Sequence, residues 1–191
     1  VSTKELSRKD EISISKSGMI TIAGGKLTGY RIMAKKIIDL ICENHKLDKK
    51  CRTDTIKING GDLNNLAIDD FYIEVTNILN ELKITSYNSK YLISNYGTQT
   101  KYILDLYKDK NLNHLVEAEA IFCLNHESLH NPLDFFLRRT GKLLFYTEHV
   151  LKELDIVMPH FISYLSLKDL EANQMKETVK DYLKNLTIFS E

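Results

Sequence analysis

The sequence predicts a mainly α-helical protein with a short β-rich stretch at its front, and three observations carry that expectation. Extended, alternating patterning is confined to the first thirty residues. Apolar positions recur at three- and four-residue steps from about Thr28 onward, and only two prolines and eight glycines are available to interrupt them.

The β-type sequence falls in two runs, residues 11–17 and 19–23. Ile12 and Ile14 alternate with serines in the first, and Gly18 is placed to turn between them. Two strands do not stand alone in water, so this hairpin is expected to belong to a larger sheet that the chain does not contain. A helix is predicted over 28–45, where Met33, Ile37, Ile38, Leu40 and Ile41 share one face and Lys35, Lys36 and Asp39 lie off it. Residues 46–66 are polar and include the turn signal Gly60-Gly61-Asp62. They read as a loop, with a short strand at 55–58.

Further helices are predicted over 68–82, 87–96, 99–108, 114–127, 132–154 and 167–186. Asn131 suits a helix cap and Pro132 a first helical turn, while Gly97 is placed to end one helix just before Thr98 or Thr100 opens the next. No repeat of fixed period and no low-complexity run is present.

At 191 residues, 43% hydrophobic and 27% charged, the chain is long and apolar enough to bury a substantial core. Its 26 basic residues balance 26 acidic ones, so no global field draws it to nucleic acid. Three cysteines without a C-x-x-C pair argue against a disulfide framework or a thiolate zinc site and fit a reducing compartment. No stretch reaches the roughly 20 apolar residues of a membrane span, and the charged start does not read as a signal peptide; the expected location is cytoplasmic. The first residue is Val1 rather than Met, which leads us to expect sequence upstream.

The segment with most chemical content runs from Ile20 to Arg31, Ile-Thr-Ile-Ala-Gly-Gly-Lys-Leu-Thr-Gly-Tyr-Arg. A strand passes through two glycines directly into a helix. Paired glycines remove side chains where backbone must approach something flat or charged, and the helix start then aims free N–H groups and a positive end at it. By itself Gly24-Gly25 fits either such a ligand-facing turn or a plain tight strand-to-helix turn. No G-x-G-x-x-G and no P-loop occur, so a complete dinucleotide or triphosphate site is not encoded here.

This segment, with Leu6-Ser7-Arg8-Lys9-Asp10-Glu11 before it, resembles the closing part of the flavin domain in aerobic FAD-dependent glycerol-3-phosphate dehydrogenases, the family that also includes α-glycerophosphate oxidases. Ile58-Asn59-Gly60-Gly61, Tyr96-Gly97 and the run Leu133 to Thr140 resemble landmarks of that family's helical C-terminal domain. The resemblance covers nearly the whole chain, more loosely over the last fifty residues.

It implies residues 1–44 as the end of an FAD-binding domain and 45–191 as an α-helical C-terminal domain. By position it implies Gly24, Gly25, Lys26, Leu27 and Thr28 against the flavin, Lys26 also toward substrate, and Arg8 on the substrate phosphate, where a guanidinium fork grips two oxygens. The implied reaction is oxidation of sn-glycerol 3-phosphate to dihydroxyacetone phosphate with electrons passed through FAD to a quinone. The isolated chain is expected to bind no FAD and to be inactive without the N-terminal FAD-binding domain. A quinone partner implies peripheral contact at the inner face of the cell membrane, and a homodimer stays open. An oxidase passing electrons to oxygen, and a non-catalytic helical cap or interaction module, are the alternatives.

His126-Glu127-Ser128-Leu129-His130 matches H-E-x-x-H, the pattern of a zinc hydrolase. Asn131-Pro132 ends the helix at once, and only Glu148 offers itself as a third ligand, so a solvated helix end without metal is expected. Arg138, Arg139 and Lys142 form a small basic cluster, expected to be solvated or paired with carboxylates rather than bound to phosphate or lipid. Tyr87, Tyr91, Tyr96, Tyr102 and Tyr107 are expected to pack in the core. Leu167, Leu170, Val179, Leu183 and Leu186 mark one face of the last helix, expected to pack on its own domain rather than on a bilayer.

Overall fold

The computed structural model describes residues 11–85 and 87–187, so Arg8 lies outside the described residues. The chain divides into two compact units, Val1–Lys57 and Ile58–Glu191.

In the first unit β1 (Glu11–Ile14) pairs antiparallel with β2 (Ile20–Ala23), with Ile12 opposite Ile22 and Ile14 opposite Ile20. Both strands are shorter than the patterning predicts. The Ser15 and Gly18 amides bond to the Met19 and Ser15 carbonyls at 2.9 and 3.0 Å, which folds 15–19 into the turn, with Gly18 at φ 85°. Ile12, Ile14 and Met19 are exposed on this hairpin. After one tight turn at Leu27–Gly29, α1 (Tyr30–Asn44) carries Cys42 inward and pairs Lys35 with Asp39 across one helical turn. The predicted strand at 55–58 does not form. The Thr55 and Ile56 amides bond back to the Arg52 carbonyl at 3.1 and 3.0 Å, so the segment is a turn.

All the regular structure of the second unit's described residues is helical, including α2 (Ile68–Glu81), α3 (Ser89–Tyr96), α4 (Thr100–Asp109), α5 (Leu115–His126), α6 (Pro132–Asp134), α7 (Lys142–Phe145), α8 (Thr147–Leu165) and α9 (Asp169–Thr187). At its centre α5 packs against α4 and α8. Leu115, Val116, Ala118, Ala120, Phe122, Cys123 and Leu124 are all buried, so apolar residues surround this helix on most sides, as suits an interior helix. Asn88 caps α3 by accepting from the Tyr91 amide at 2.8 Å, and Asn131 caps α6 by accepting from the Asp134 amide at 2.7 Å.

The continuous helix predicted over 132–154 is broken twice. After α6 the chain widens, and the Thr140 amide reaches back five residues to the Phe135 carbonyl at 2.9 Å. Gly141 then turns left-handed at φ 66° before α7, and Tyr146 interrupts again at φ −144°, ψ 45°. Conversely, α8 runs eleven residues past the predicted end, through Pro159. A proline inside a helix costs about 3 kcal/mol. Burial of Val157, Met158 and Phe161 on one face offsets that cost. α9 packs on α6 and α8, buries Ala172 and Val179, and ties Lys176 to Asp155 at 2.7 Å.

Candidate functional site

The residues singled out in the first unit form one continuous exposed junction. β2 ends at Ala23; Gly24 and Gly25 follow at φ 87° and 81°, values that side-chain-bearing residues rarely adopt. Lys26 returns to an extended conformation, φ −111° and ψ 149°, and the Gly29 amide closes the next turn on its carbonyl at 2.8 Å. Among the described residues no side chain caps this turn or α1, and no acidic residue stands in either first turn. The free amides and positive end of the helix are therefore not neutralised locally. Lys26 and Thr28 are exposed and Leu27 is 90% exposed, so the junction is not packed into an interior. A Cβ added at Gly29 would meet nothing within 4 Å. Gly24, Gly25, Lys26, Leu27 and Thr28 thus form one contiguous, largely exposed run that carries a cation.

The second unit holds a buried ionic network that pattern reading did not find. Glu119 is fully buried in α5. Its Oε1 accepts from the hydroxyls of Tyr91 and Tyr96 at 3.0 and 2.9 Å; its Oε2 accepts from the Tyr87 hydroxyl at 2.5 Å and the Lys142 ammonium at 3.2 Å. The Lys142 ammonium also donates to Tyr87 Oη at 2.5 Å and to Glu153 Oε2 at 2.9 Å. Each carboxylate oxygen of Glu119 has two donors and each ammonium proton has an acceptor, so the network is complete.

Lys142, expected in a surface cluster with Arg138 and Arg139, is only 4% exposed. The break at Gly141 starts a new short helix, and Lys142 opens it on the inner side. Arg138 and Arg139 do pair with a carboxylate, both reaching Asp134, at 3.0 and 3.3 Å. Of the five tyrosines expected in the core, Tyr96 is buried in it, Tyr87, Tyr91 and Tyr107 pack against it and Tyr102 is exposed; Tyr87, Tyr91 and Tyr96 also carry their hydroxyls into this network. The available signal was Glu119 within the apolar stretch 118–124 of α5, a carboxylate that must find partners when buried.

Burial, reinforced by the Glu119 carboxylate, pushes the Tyr87, Tyr91 and Tyr96 phenols well above their ordinary value. Raised phenols stabilise the fold while both states keep their protons; above the ordinary phenol range only the unfolded chain releases them. Stability is therefore expected to fall above about pH 10, by about 1.4 kcal/mol per pH unit for each of these phenols. Urea unfolding across an alkaline pH series checks this, and a slope unchanged when Tyr91 becomes Phe counts against it. Burial likewise raises the Glu153 carboxyl, with Lys142 pulling it back.

The H-E-x-x-H segment is not one helical turn. α5 ends at His126 and Ser128 is left-handed at φ 51°, which carries His130 off the helix. The His126 ring packs against Tyr102 and Phe122, with centroids 5.4 and 5.2 Å away. Among the described residues no three His, Cys, Asp or Glu side chains gather as a metal site. No described helix is long and apolar enough to cross a membrane.

These features define a helical C-terminal domain joined to a strand–glycine–helix segment. Residues 51–172 match the C-terminal domain of alpha-glycerophosphate oxidase, and the chain belongs to that family. It is 34% identical over 178 residues to the aerobic glycerol-3-phosphate dehydrogenase of Staphylococcus saprophyticus, covering 87% of this chain and 32% of the relative. With the enzyme of the same name from Staphylococcus aureus it shares 32% identity over 191 residues, 94% of this chain and 34% of the relative. It is also similar to the crystal structure of the glycerol-3-phosphate dehydrogenase from Bacillus halodurans complexed with FAD. The TM-score is 0.74 at 25% identity, over 95% of this chain and 39% of that one. The chain thus spans about a third of the length of the curated relatives it matches.

Proposed function

We propose that this chain is the C-terminal portion of an FAD-dependent enzyme that oxidises sn-glycerol 3-phosphate to dihydroxyacetone phosphate. Residues 1–44 complete its flavin-binding domain, and 45–191 form its helical domain. The observation that carries the reading is the uncapped, exposed junction at Gly24–Thr28, found in a chain whose relatives are named for this reaction. The hairpin supports it too, since exposed Ile12 and Ile14 on β1, with Met19 exposed in the turn, suit the edge of a larger sheet.

In this reading Gly24, Gly25, Lys26, Leu27 and Thr28 would hold the flavin, the two glycines by leaving the backbone free to approach it and the Leu27 and Thr28 amides by offering it unneutralised N–H groups. FAD, when bound, supplies the two-electron acceptor. Lys26 places a cation where negative charge grows, and its reach extends to substrate. Arg8 grips the substrate phosphate and so fixes the carbinol carbon in place. The electrons leave to a quinone, which brings the intact protein to the inner face of the membrane.

Alone, the chain is expected to hold no flavin and to show no turnover; stoichiometric flavin absorbance in the purified protein would overturn that. Joined to the missing flavin-binding portion, it is expected to give substrate-dependent dye reduction. Lys26→Ala should then lower kcat on the order of a hundredfold. Arg8→Ala should mainly raise KM. Full activity in both variants favours a helical cap module with no catalytic residue of its own, and hydrogen peroxide in place of dye reduction identifies an oxidase.

A further inference from the structure

A concave site lies wholly within the helical unit. It is a cavity of about 410 Å³ between α3, α5, α7 and α8, with Ile84, Leu115, Val116, Ile156, Tyr107 and Tyr146 among its walls. That volume falls within the range of small-molecule sites, which are mostly apolar with a few fixed polar groups. Here the fixed groups are Tyr87, Tyr91, Lys142 and Glu153, which line the cavity and belong to the buried network. Their partners hold them in position whether or not anything enters.

The charge of the lining decides what could enter. Lys83, Lys142 and Lys152 face a single carboxylate, Glu153. Lys142 is already committed to Glu119 and Glu153. Among the described residues Lys83 and Lys152 take part in no ion pair, and both are exposed. The other ionisable lining groups are His114 and His149, and His149 pairs with Glu148 outside the lining at 3.5 Å. A cation would meet two unpaired ammonium groups, and a neutral guest would leave them unused.

We propose that this cavity binds a small amphipathic anion, an apolar ring or short chain bearing a phosphate or carboxylate. Its apolar body lies against the tyrosine and aliphatic walls, and its charge is met by Lys83 and Lys152. The proposal stands independently of the flavoenzyme reading, since every residue it uses lies in the helical unit.

Phenyl phosphate is the probe, with phenol and inorganic phosphate as its two halves. Titration followed by two-dimensional NMR of the full chain is expected to show saturable shifts at Tyr87, Tyr91, Tyr146 and Val116. Binding should be at least tenfold tighter than for either half alone. The double variant Lys83→Ala/Lys152→Ala, which leaves the buried network intact, should weaken binding roughly tenfold. A control pair outside the lining, Lys90→Ala/Lys168→Ala, should leave it unchanged. Shifts elsewhere, no saturation, equal binding of phenol, or equal weakening by the control pair would each overturn the proposal.

Discussion

Replacing Glu119 with alanine is expected to destabilise the helical unit by about 3–5 kcal/mol, because Lys142 and three phenol hydroxyls then lose their shared acceptor inside the core. The cost comes from the donors stranded without an acceptor more than from the bonds themselves. Glu119→Gln keeps an acceptor oxygen and should fall between wild type and alanine. Removing the Lys142 charge as well, as Glu119→Leu with Lys142→Met, should recover only part of the loss, since the stranded ammonium is gone but the three phenol hydroxyls still lack their acceptor and Glu153 loses its cation. Urea midpoints of the four proteins decide the matter. A Glu119→Ala cost under about 1 kcal/mol would mean that water or rearrangement satisfies the site.

Gly97→Ala is expected to cost about 4 kcal/mol or more, for two separable reasons. Gly97 sits at φ 55°, ψ −132°, a conformation that glycine alone adopts readily. A Cβ there would also stand 2.0 Å from the Gly60 carbonyl oxygen, which accepts from the Thr98 amide at 2.9 Å. The two backbones cannot stay joined with a methyl group between them. Gly60→Ala should act in the same direction, its Cβ meeting the Tyr96 carbonyl oxygen at 2.7 Å. Gly141→Ala separates the causes. Its φ of 66° is also left-handed, but its Cβ would find only the Phe145 ring at 3.4 Å, so it should cost about 1–2 kcal/mol. Equal losses at Gly97 and Gly141 would show that conformation, not contact, dominates.

Much of the helical architecture was legible because it is written in local patterns. α1 to α5 fall where apolar residues recur at helical spacing and where Gly97 punctuates them, and Asn131 marks the start of α6. The errors have physical causes. Residues 132–154 read as one helix because Phe135, Phe136, Leu143 and Leu144 keep helical spacing across Gly141, and spacing does not report that a glycine has turned left-handed. The extension of α8 was missed at Pro159, where burial of neighbours overrides a poor local preference. Residues 55–58 were expected as a strand, yet a strand needs an edge to pair with, and among the described residues they pair with none.

The two sites differ in how sequence betrays them. The glycine–glycine junction is contiguous, so a short string carries it. The network around Glu119 draws on residues from 87 to 153, and its parts resemble ordinary core tyrosines and a surface lysine until the fold assembles them. The cavity above it was equally invisible, since its walls come from segments far apart in the chain.

The break at Gly141 has a consequence for how the helical unit holds together. By turning Lys142 inward, it couples the loop before α3, the middle of α5, the start of α7 and the flank of α8 through one shared proton-bonded centre. No one of these segments can peel away without leaving a charged or polar group of the centre short of a partner, which penalises partial opening more than loss of an apolar contact of similar size would. The unit is thereby biased toward melting as a whole, its helices sharing a common opening free energy instead of fraying one by one.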